Sequence, residues 1–349
     1  MRLLYLYPWP VEESLRKYSA GSIASDRLYG LIELRKRGFS VDCATMHTNG
    51  PFKKWIGRIN RMFGLNIVNP KTLLKLLPYD TIIVKDGYST LMTLACFLVR
   101  KRIVYVDALF RIPQNPLRKF LCYINIRLAS GTVVYSKTQM KIWAQLFTVP
   151  SRRLKVMPYC MDVSFYAANA SHPYAAKPYI LSVGRDIGRD YPTLTEAVKG
   201  LDIHVKIVSL RHLLGDNDAC GANVELLEYI PDEILFKLYR EAVLVVLPLK
   251  KWATQYPSGI RGLFEALHFG KCVIASRSPV LEEYFRNGDG VVYVAPENGA
   301  ELRKAIQRLL DNPGDRSRLE NRAAGIIQKK YNMDVFADRL GRYLQSLAE

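Results

Sequence analysis

The chain has 349 residues, of which 49% are hydrophobic and 23% are charged. These proportions are ordinary for a globular protein and exclude a disordered or fibrous chain, while the length suits two domains rather than one core. The longest apolar stretch, Leu91 to Val99, is half a membrane span at best, so we expect no transmembrane helix. The apolar segment Arg2 to Tyr7 is too short for a signal peptide, which favours a cytoplasmic protein.

The net charge of +18 is distributed unevenly along the chain. Residues 1–150 contain 23 Lys and Arg against 8 Asp and Glu, whereas the remaining residues contain 27 against 24. A basic half joined to a near-neutral half predicts that one domain meets an anionic surface or substrate. The six cysteines show no CxxC spacing, and we expect reduced, buried thiols.

In chain order, the first half alternates short apolar runs with helical patterns. A helix is expected from Arg27 to Arg37, after a polar loop, Tyr18 to Ser25, that contains Gly21. The predicted strands of this half are Leu3–Tyr7, Phe39–Ala44, Thr81–Val84, Ile103–Val106, Thr132–Tyr135 and Leu154–Met157. Such an alternation indicates a Rossmann-like domain.

A second alternation follows Ala167 to Pro178, which resembles a linker in composition. Its predicted strands are Tyr179–Val183, His204–Val208, Val224–Leu227, Val243–Leu247, Val273–Ala275 and Val291–Val294. A last helix, Val335 to Ala348, has an apolar stripe that we expect to pack against the first domain. The sequence therefore predicts an α/β protein of two Rossmann-like domains facing each other across a cleft.

The segment from Val243 to Ser276 predicts a strand, a loop, a helix and a second strand. Ser258 and Gly259 are suited to begin the helix, and Gly270 to end it. Parallel sheets of this kind bind phosphates where a helix N-terminus meets the carboxyl edge of the strands. This segment alone therefore predicts either an anion site at the loop before the helix or a plain βαβ crossover with a solvated Glu265.

Five segments, in order, resemble the donor domain of the retaining GT-B glycosyltransferases, in particular glycosyltransferase family 4. They are Val156–Asp162, Ser182–Ala197, Tyr229–Pro248, Gly262–Ser276 and Asn287–Asp311. The first half is similar to the family only in its alternation and in Tyr18 to Arg37. The resemblance implies a GT-B fold with an N-terminal acceptor domain, residues 1–166 plus the helix 333–349. It further implies a donor domain at residues 167–332.

By this resemblance, Arg185 and Arg189 take the places of the cations that hold the donor diphosphate. Gly184 ends the predicted strand just before Arg185. Arginine can bind phosphate oxygens bidentately, and cations fixed at the leaving diphosphate lower the barrier to sugar transfer.

Glu265 matches the second Glu of the family's Glu-x7-Glu motif, which holds the ribose hydroxyls. The first Glu of that motif is absent, since Pro257 stands in its place. The resemblance places four residues of the loop, Ser258, Gly259, Ile260 and Arg261, beside the sugar and diphosphate. It also assigns Gly21 to the donor site.

Many relatives have a His after the fourth strand, where this chain has Asp107. Asp107 could hydrogen-bond the sugar, act as a base toward an acceptor hydroxyl, or cap the strand. Asp86, after the preceding strand, is the rival candidate for the base. No Asp-x-Asp or metal-ligand spacing accompanies them, so we expect a metal-independent reaction without cofactor.

The segment from Pro51 to Tyr79 has six cations and, before Asp80, no acid. Its aromatic and aliphatic residues recur at helical spacing, a pattern typical of a basic amphipathic helix on an anionic bilayer. We assign Lys53, Lys54, Trp55, Arg58 and Arg61 to membrane or acceptor contact. A core-packed helix with a basic solvent face is the alternative.

The sequence thus predicts a glycosyltransferase that uses a nucleotide sugar and a lipid-linked or glycan acceptor in cell-surface polysaccharide or glycolipid synthesis. It would associate peripherally with the inner face of the membrane. A nucleotide-sugar epimerase or hydrolase, or an inactive GT-B protein, is suggested by Pro257. A nucleic-acid binder fits the net charge, but the sequence has no RNP, KH or helix-turn-helix pattern.

Overall fold

The computed structural model describes residues 1–46, 58, 60, 73–108, 113–150, 153–168, 177–215 and 223–348. The chain forms two compact units, residues 1–160 with 333–349, and residues 161–332. The boundary falls a few residues before the one expected from the sequence. It does so because Phe165 and Tyr166 of the intervening helix pack on Phe236 of the second unit.

The first unit contains a parallel sheet of six strands in the order β2-β1-β3-β4-β5-β6. The strands are β1 (Arg2–Tyr7), β2 (Ser40–Thr45), β3 (Thr81–Lys85), β4 (Arg102–Val106), β5 (Gly131–Val134) and β6 (Leu154–Val156). Its described helices are α1 (Val11–Ser19), α2 (Leu31–Lys36), α3 (Thr90–Leu98), α4 (Pro116–Leu128) and α5 (Lys137–Leu146). The sheet matches the six predicted strands.

The connection from β1 to β2 differs from its prediction. A helix, α1, occupies Val11–Ser19, and Gly21 follows it with a φ of 69°, a left-handed conformation that ends helices. The single helix expected from Arg27 is divided into a 3₁₀ turn, Ser25–Leu28, and α2. The division occurs because Tyr29 and Gly30 both have positive φ, at 52° and 85°, which a continuous helix cannot accommodate.

The last helix of the chain, α13 (Met333–Ser346), packs within the first unit, as the sequence led us to expect. The ring of Phe336 lies over Gly30, and Gly341 lies against Phe39. Arg37 forms an ion pair with Asp334 at 3.3 Å. The helix therefore covers α2 and completes the core on that side.

The second unit also contains a parallel sheet of six strands, in the order β12-β11-β10-β7-β8-β9. The strands are β7 (Tyr179–Val183), β8 (His204–Val208), β9 (Val224–Leu227), β10 (Leu244–Leu247), β11 (Val273–Ser276) and β12 (Val291–Val294). The helices are α6 (Val163–Ala168), α7 (Tyr191–Val198), α8 (Asp232–Glu241), α9 (Ile260–His268), α10 (Pro279–Glu282), α11 (Gly299–Asp311) and α12 (Pro313–Lys330). Two parallel sheets flanked by helices confirm the predicted α/β class.

Five of the six cysteines are among the described residues and are free thiols, four of them buried. Burial raises the pKa of the Cys96 and Cys122 thiols to about 12, so both remain protonated at neutral pH. Among the described helices, none is long and apolar enough to cross a membrane.

Replacement of Gly30 by Ala tests how α13 is held. The new methyl group would lie 3.1 Å from the Phe336 ring, in a residue whose positive φ costs about 1–2 kcal/mol for any L side chain. Gly38 is the matched control, because it has a φ of 80° and open space around the same position. We expect Gly30→Ala to lower the free energy of unfolding more than Gly38→Ala in urea denaturation. Equal losses would show that Phe336 does not pack tightly on Gly30.

Candidate functional site

The second sheet has its switch point between β7 and β10, because the chain leaves β7 toward β8 on one side and returns to β10 on the other. Ligands of open α/β sheets bind beyond the carboxyl ends of such strands. The loop after β7 is fixed to the segment after β10 by two backbone hydrogen bonds. The Asp190 N–H donates to the Pro248 carbonyl at 3.1 Å, and the Lys250 N–H donates to the Gly188 carbonyl at 2.9 Å.

Arg189 lies at this switch point with its side chain 4% exposed. Its Nε donates to Asp186 Oδ2 at 2.9 Å. A Cβ on Gly184 would lie 2.1 Å from that Nε, so only glycine allows the guanidinium to lie against the end of β7. Among the described residues, no group accepts a hydrogen bond from the buried Nη1 atom of Arg189.

Asp186 connects the loop after β7 to the loop before α9. Its Oδ1 accepts hydrogen bonds from Ser258 Oγ at 2.7 Å and from the Gly188 N–H at 3.1 Å, while Oδ2 accepts from Arg189. Three donors therefore fix one carboxylate, and the carboxylate fixes the orientation of Arg189.

The charge of Arg189 is retained despite burial. Desolvation disfavours the guanidinium cation, but the Asp186 carboxylate and neighbouring groups outweigh it and raise the pKa of Arg189. The Arg189 guanidinium is thus a permanent cation whose Nη1 atom has no acceptor among the described residues. Such a group is suited to bind an anion.

The N-terminus of α9 lies beside this cation. Gly259 precedes the helix with a φ of 78°, and a Cβ on Gly259 would lie 3.5 Å from Arg189 Nη1. Ser258 and Ile260 flank it and are buried. Helix N-termini attract negative charge through their unpaired N–H groups, so both features favour the same anion.

Glu265 is buried one turn farther along α9. Its Oε1 accepts from Arg261 Nε at 2.8 Å, and its Oε2 accepts from the Tyr239 hydroxyl at 3.2 Å. Burial, followed by the Glu265 charge, raises the pKa of Tyr239 well above its usual value, so the hydroxyl stays protonated and can donate. Each carboxylate oxygen has a second lone pair, which leaves capacity for two more donors.

Arg185 occupies a different environment from Arg189. Its side chain is exposed, with the guanidinium carbon 4.9 Å from the centroid of the Tyr229 ring. The structure therefore brings together Gly184, Arg189, Ser258 and Gly259, and places Arg185 outside that buried cluster. Sequence reasoning gave no role to Asp186 or Tyr239; the three-residue spacing from Asp186 to Arg189 was the available signal for the first.

A second cluster lies at the carboxyl ends of β3 and β4 in the first unit. Lys85, 3% exposed, forms an ion pair with Asp107, which also accepts a hydrogen bond from the Tyr29 hydroxyl at 3.2 Å. The Lys85 ammonium lies 4.0 Å from the centroid of the Tyr29 ring and 5.8 Å from that of Trp9. Asp107 is therefore held in place by a cation and a hydroxyl.

Asp86 follows Lys85. Its backbone has the same left-handed conformation as that of Asp107, with φ values of 62° and 57° respectively. Its N–H donates to the Val106 carbonyl, so the two strand ends are adjacent. Within the described part of the chain, the Asp86 carboxylate has no hydrogen-bond or ion-pair partner. Although the side chain is solvent-accessible, nearby protein atoms desolvate it enough to raise its pKa, against the lowering effect of Lys85.

The other predicted site residues belong to residues 1–160. Gly21 is exposed just after α1, with nothing within 4 Å of the position of a Cβ, and its assignment to the donor site stays a prediction. Arg58 is exposed. Lys53, Lys54, Trp55 and Arg61 lie outside the described residues. In the described part of the chain, no cluster of His, Cys, Asp or Glu could hold a metal ion.

Residues 189–341 match the family model Glyco_trans_1_2, described as glycosyl transferase-like. The matched residues span most of the second unit and part of α13, a little under half of the chain. The match begins at Arg189 and includes Glu265 and the whole of α9. No curated protein matches the sequence.

Solved structures similar over the whole chain have the GT-B fold. A glycosyltransferase from Rickettsia africae is 14% identical with a TM-score of 0.71, covering 100% of this chain and 98% of that one. Sucrose-phosphate synthase from Thermosynechococcus elongatus is 17% identical with a TM-score of 0.71, covering 99% of each chain. HepE from Anabaena, in complex with UDP-glucose, is 16% identical with a TM-score of 0.68, covering 99% and 100%. The GT-B fold expected from the sequence is confirmed.

Replacement of Asp186 by Asn tests whether this buried pair supports the site. The substitution leaves the Arg189 cation without its counter-charge, a change that costs about 3 kcal/mol in buried pairs. Asp315→Asn is the matched control, because Asp315 forms an ion pair with Arg318 at 2.7 Å and the same three-residue spacing on the surface. We expect a loss below about 1 kcal/mol there. Equal losses in urea denaturation would contradict a structural role for Asp186.

Proposed function

We propose that the protein transfers a sugar from a nucleotide-diphosphate sugar to an acceptor hydroxyl, with retention of configuration. The observation that supports this most directly is Arg189, a buried cation with an unfilled donor edge beside the N-terminus of α9. The family match of the same region and the resemblance to retaining GT-B enzymes agree with it.

The leaving diphosphate gains negative charge as the bond from the sugar to its oxygen breaks. Arg189 is already oriented by Asp186 and by contact with Gly184, so it needs little rearrangement to hold that charge. The N–H groups at the start of α9 add to the effect. Arg185, which is exposed in the same loop as Arg189, would supply a second cation.

Glu265 would bind the ribose of the donor. Its carboxylate accepts one hydrogen bond on each oxygen and has capacity for the vicinal hydroxyls of a ribose. Arg261 and Tyr239 fix its orientation. Pro257 replaces the acid that contacts the donor sugar in the resembled family, so the sugar must be recognised by other groups, among which we place Ser258 and Ile260.

The acceptor would bind at the cluster of the first unit. Asp107 already accepts from Lys85 and Tyr29, so we assign it a positioning role toward the acceptor. Asp86 has an unengaged carboxylate with a raised pKa, and is therefore better suited to accept the proton of the acceptor hydroxyl.

The acceptor itself is proposed to be lipid-linked or a glycan, as in the synthesis of polysaccharide or glycolipid at the inner face of a membrane. The excess of cations over residues 1–150 supports an anionic acceptor or surface. The segment with Lys53, Lys54, Trp55, Arg58 and Arg61 would contribute to it, on the strength of its sequence pattern. The glycosyl transferase-like match gives no support to the nucleic-acid alternative.

Nucleotide-sugar binding and turnover test the donor assignment. A thermal-shift panel of UDP, GDP, ADP and CMP sugars identifies the donor, since a ligand that binds only the folded state raises its melting temperature. With that donor, Arg189→Ala and Glu265→Gln should each weaken binding about tenfold or more, because each removes charge-assisted hydrogen bonds to the ligand. Arg185→Ala should lower turnover while the fold is kept.

Arg286→Ala is the control for Arg185→Ala, since both are exposed arginines of the second unit. Wild-type turnover in an Arg185 and Arg189 double Ala variant would overturn the assignment. Hydrolysis or epimerisation of the donor without any acceptor would favour the alternative that Pro257 suggests.

Chelation tests the proposal that no metal is required. The positive charge at the diphosphate would come from Arg189 and Arg185, so turnover should be unchanged in EDTA, with and without added Mg²⁺ or Mn²⁺. A loss of activity in EDTA that divalent metal restores would contradict the proposal.

A further inference from the structure

Helix α3 of the first unit has an apolar outer face. Residues Thr90–Leu98 contain no charged side chain, and Met92, Thr93 and Cys96 form the buried face. The outer face is also apolar, with Leu91, Leu94, Phe97 and Leu98 exposed; Leu98 is 78% exposed. A surface helix normally has polar residues there, so the composition of this face needs a cause outside the core.

The next helix, α4, also has exposed apolar side chains. The two helices are neighbours, since Asn125 of α4 donates to the Thr90 hydroxyl of α3 at 2.9 Å. On α4, Leu117 and Phe120 are exposed, and Phe120 is 57% exposed. We call the six exposed side chains the α3–α4 face: Leu91, Leu94, Phe97, Leu98, Leu117 and Phe120.

Exposed apolar side chains are concentrated in this part of the molecule. Of the fourteen large hydrophobic residues that are exposed in the described ranges, nine lie between residues 74 and 120, and four lie in the second unit. Single exposed apolar residues are normal, but a cluster on adjacent helices marks an interaction surface.

The same region is strongly basic. From residue 51 to residue 128 the sequence has 14 Lys and Arg against 3 Asp. Arg100, directly after α3, is exposed, and so are Lys119 and Arg127 of α4. An apolar surface bordered by exposed cations complements an anionic lipid leaflet, where apolar side chains insert and cations meet the headgroups.

We infer that the α3–α4 face docks on an anionic bilayer and inserts its leucine and phenylalanine side chains at the headgroup boundary. The inference deepens the proposed function, on which it rests, by naming the surface that would bring the protein to a lipid-linked acceptor. A second copy of the chain is a poorer occupant, because two such faces would bring like charges together.

Vesicle flotation tests the inference with the full-length chain. Vesicles of phosphatidylcholine with phosphatidylserine are compared with vesicles of phosphatidylcholine alone, at low and high salt. The wild type should bind the anionic vesicles, and more weakly at high salt. A Leu94→Asp, Leu98→Asp variant should bind about tenfold or more weakly, because it removes insertion and adds negative charge.

Ile234→Asp is the matched control, since Ile234 is an exposed apolar residue on a helix of the second unit. It should bind vesicles as the wild type does. Lys119→Glu should reduce binding at low salt and have little effect at high salt, where the attraction is already screened.

Three results would overturn the inference. They are a wild type that ignores anionic vesicles, a double variant that binds as well as the wild type, or a dimer in solution that the double variant converts to a monomer. A failure of the proposed function can be distinguished from a failure of this inference by measuring donor binding. Donor binding needs no membrane, so a double variant that keeps donor binding but loses vesicle binding isolates the docking surface.

Discussion

The buried ion pair between Arg189 and Asp186 is the interaction on which the candidate donor site depends. It places a desolvated cation at the switch point of the second sheet, and the carboxylate also accepts from Ser258, the residue before the N-cap of α9. Without that carboxylate, burial of the guanidinium would be unfavourable, and the loop after β7 would lose its bond to the loop before α9. The glycine at 184 is a consequence of the same pair, since any side chain there would occupy the space of the guanidinium.

Much of the fold could be predicted because its strands are short, apolar and separated by helical patterns. Tyr179–Val183, His204–Val208, Val224–Leu227 and Val291–Val294 have the same limits in the sequence analysis and in the structure. Helix limits were harder wherever tertiary contacts determined them. The interruption at Tyr29 and Gly30 lies against Phe336, which is about three hundred residues away in sequence, and local patterns do not report such a contact.

The site shows the same difference between local and long-range information. The positions of Arg185, Arg189 and Glu265 followed from short motifs, but motifs do not report burial or partners. That Arg189 is buried against Asp186 while Arg185 is exposed over Tyr229 depends on side-chain packing. Tyr239 comes from α8, and only the tertiary structure brings its hydroxyl to Glu265. In the first unit, Lys85 and Asp107 are separated by a whole βα segment and meet because β3 and β4 are adjacent.

The two units differ in where their charged and apolar side chains lie. In the second unit the cation Arg189 and the acid Glu265 are buried, and each is paired with an opposite charge. In the first unit many cations are on the surface, next to leucine and phenylalanine side chains that no described residue covers. Such a surface is suited to the anionic bilayer that we propose as its partner. A soluble donor and a membrane-bound acceptor would impose these two opposite requirements on one chain.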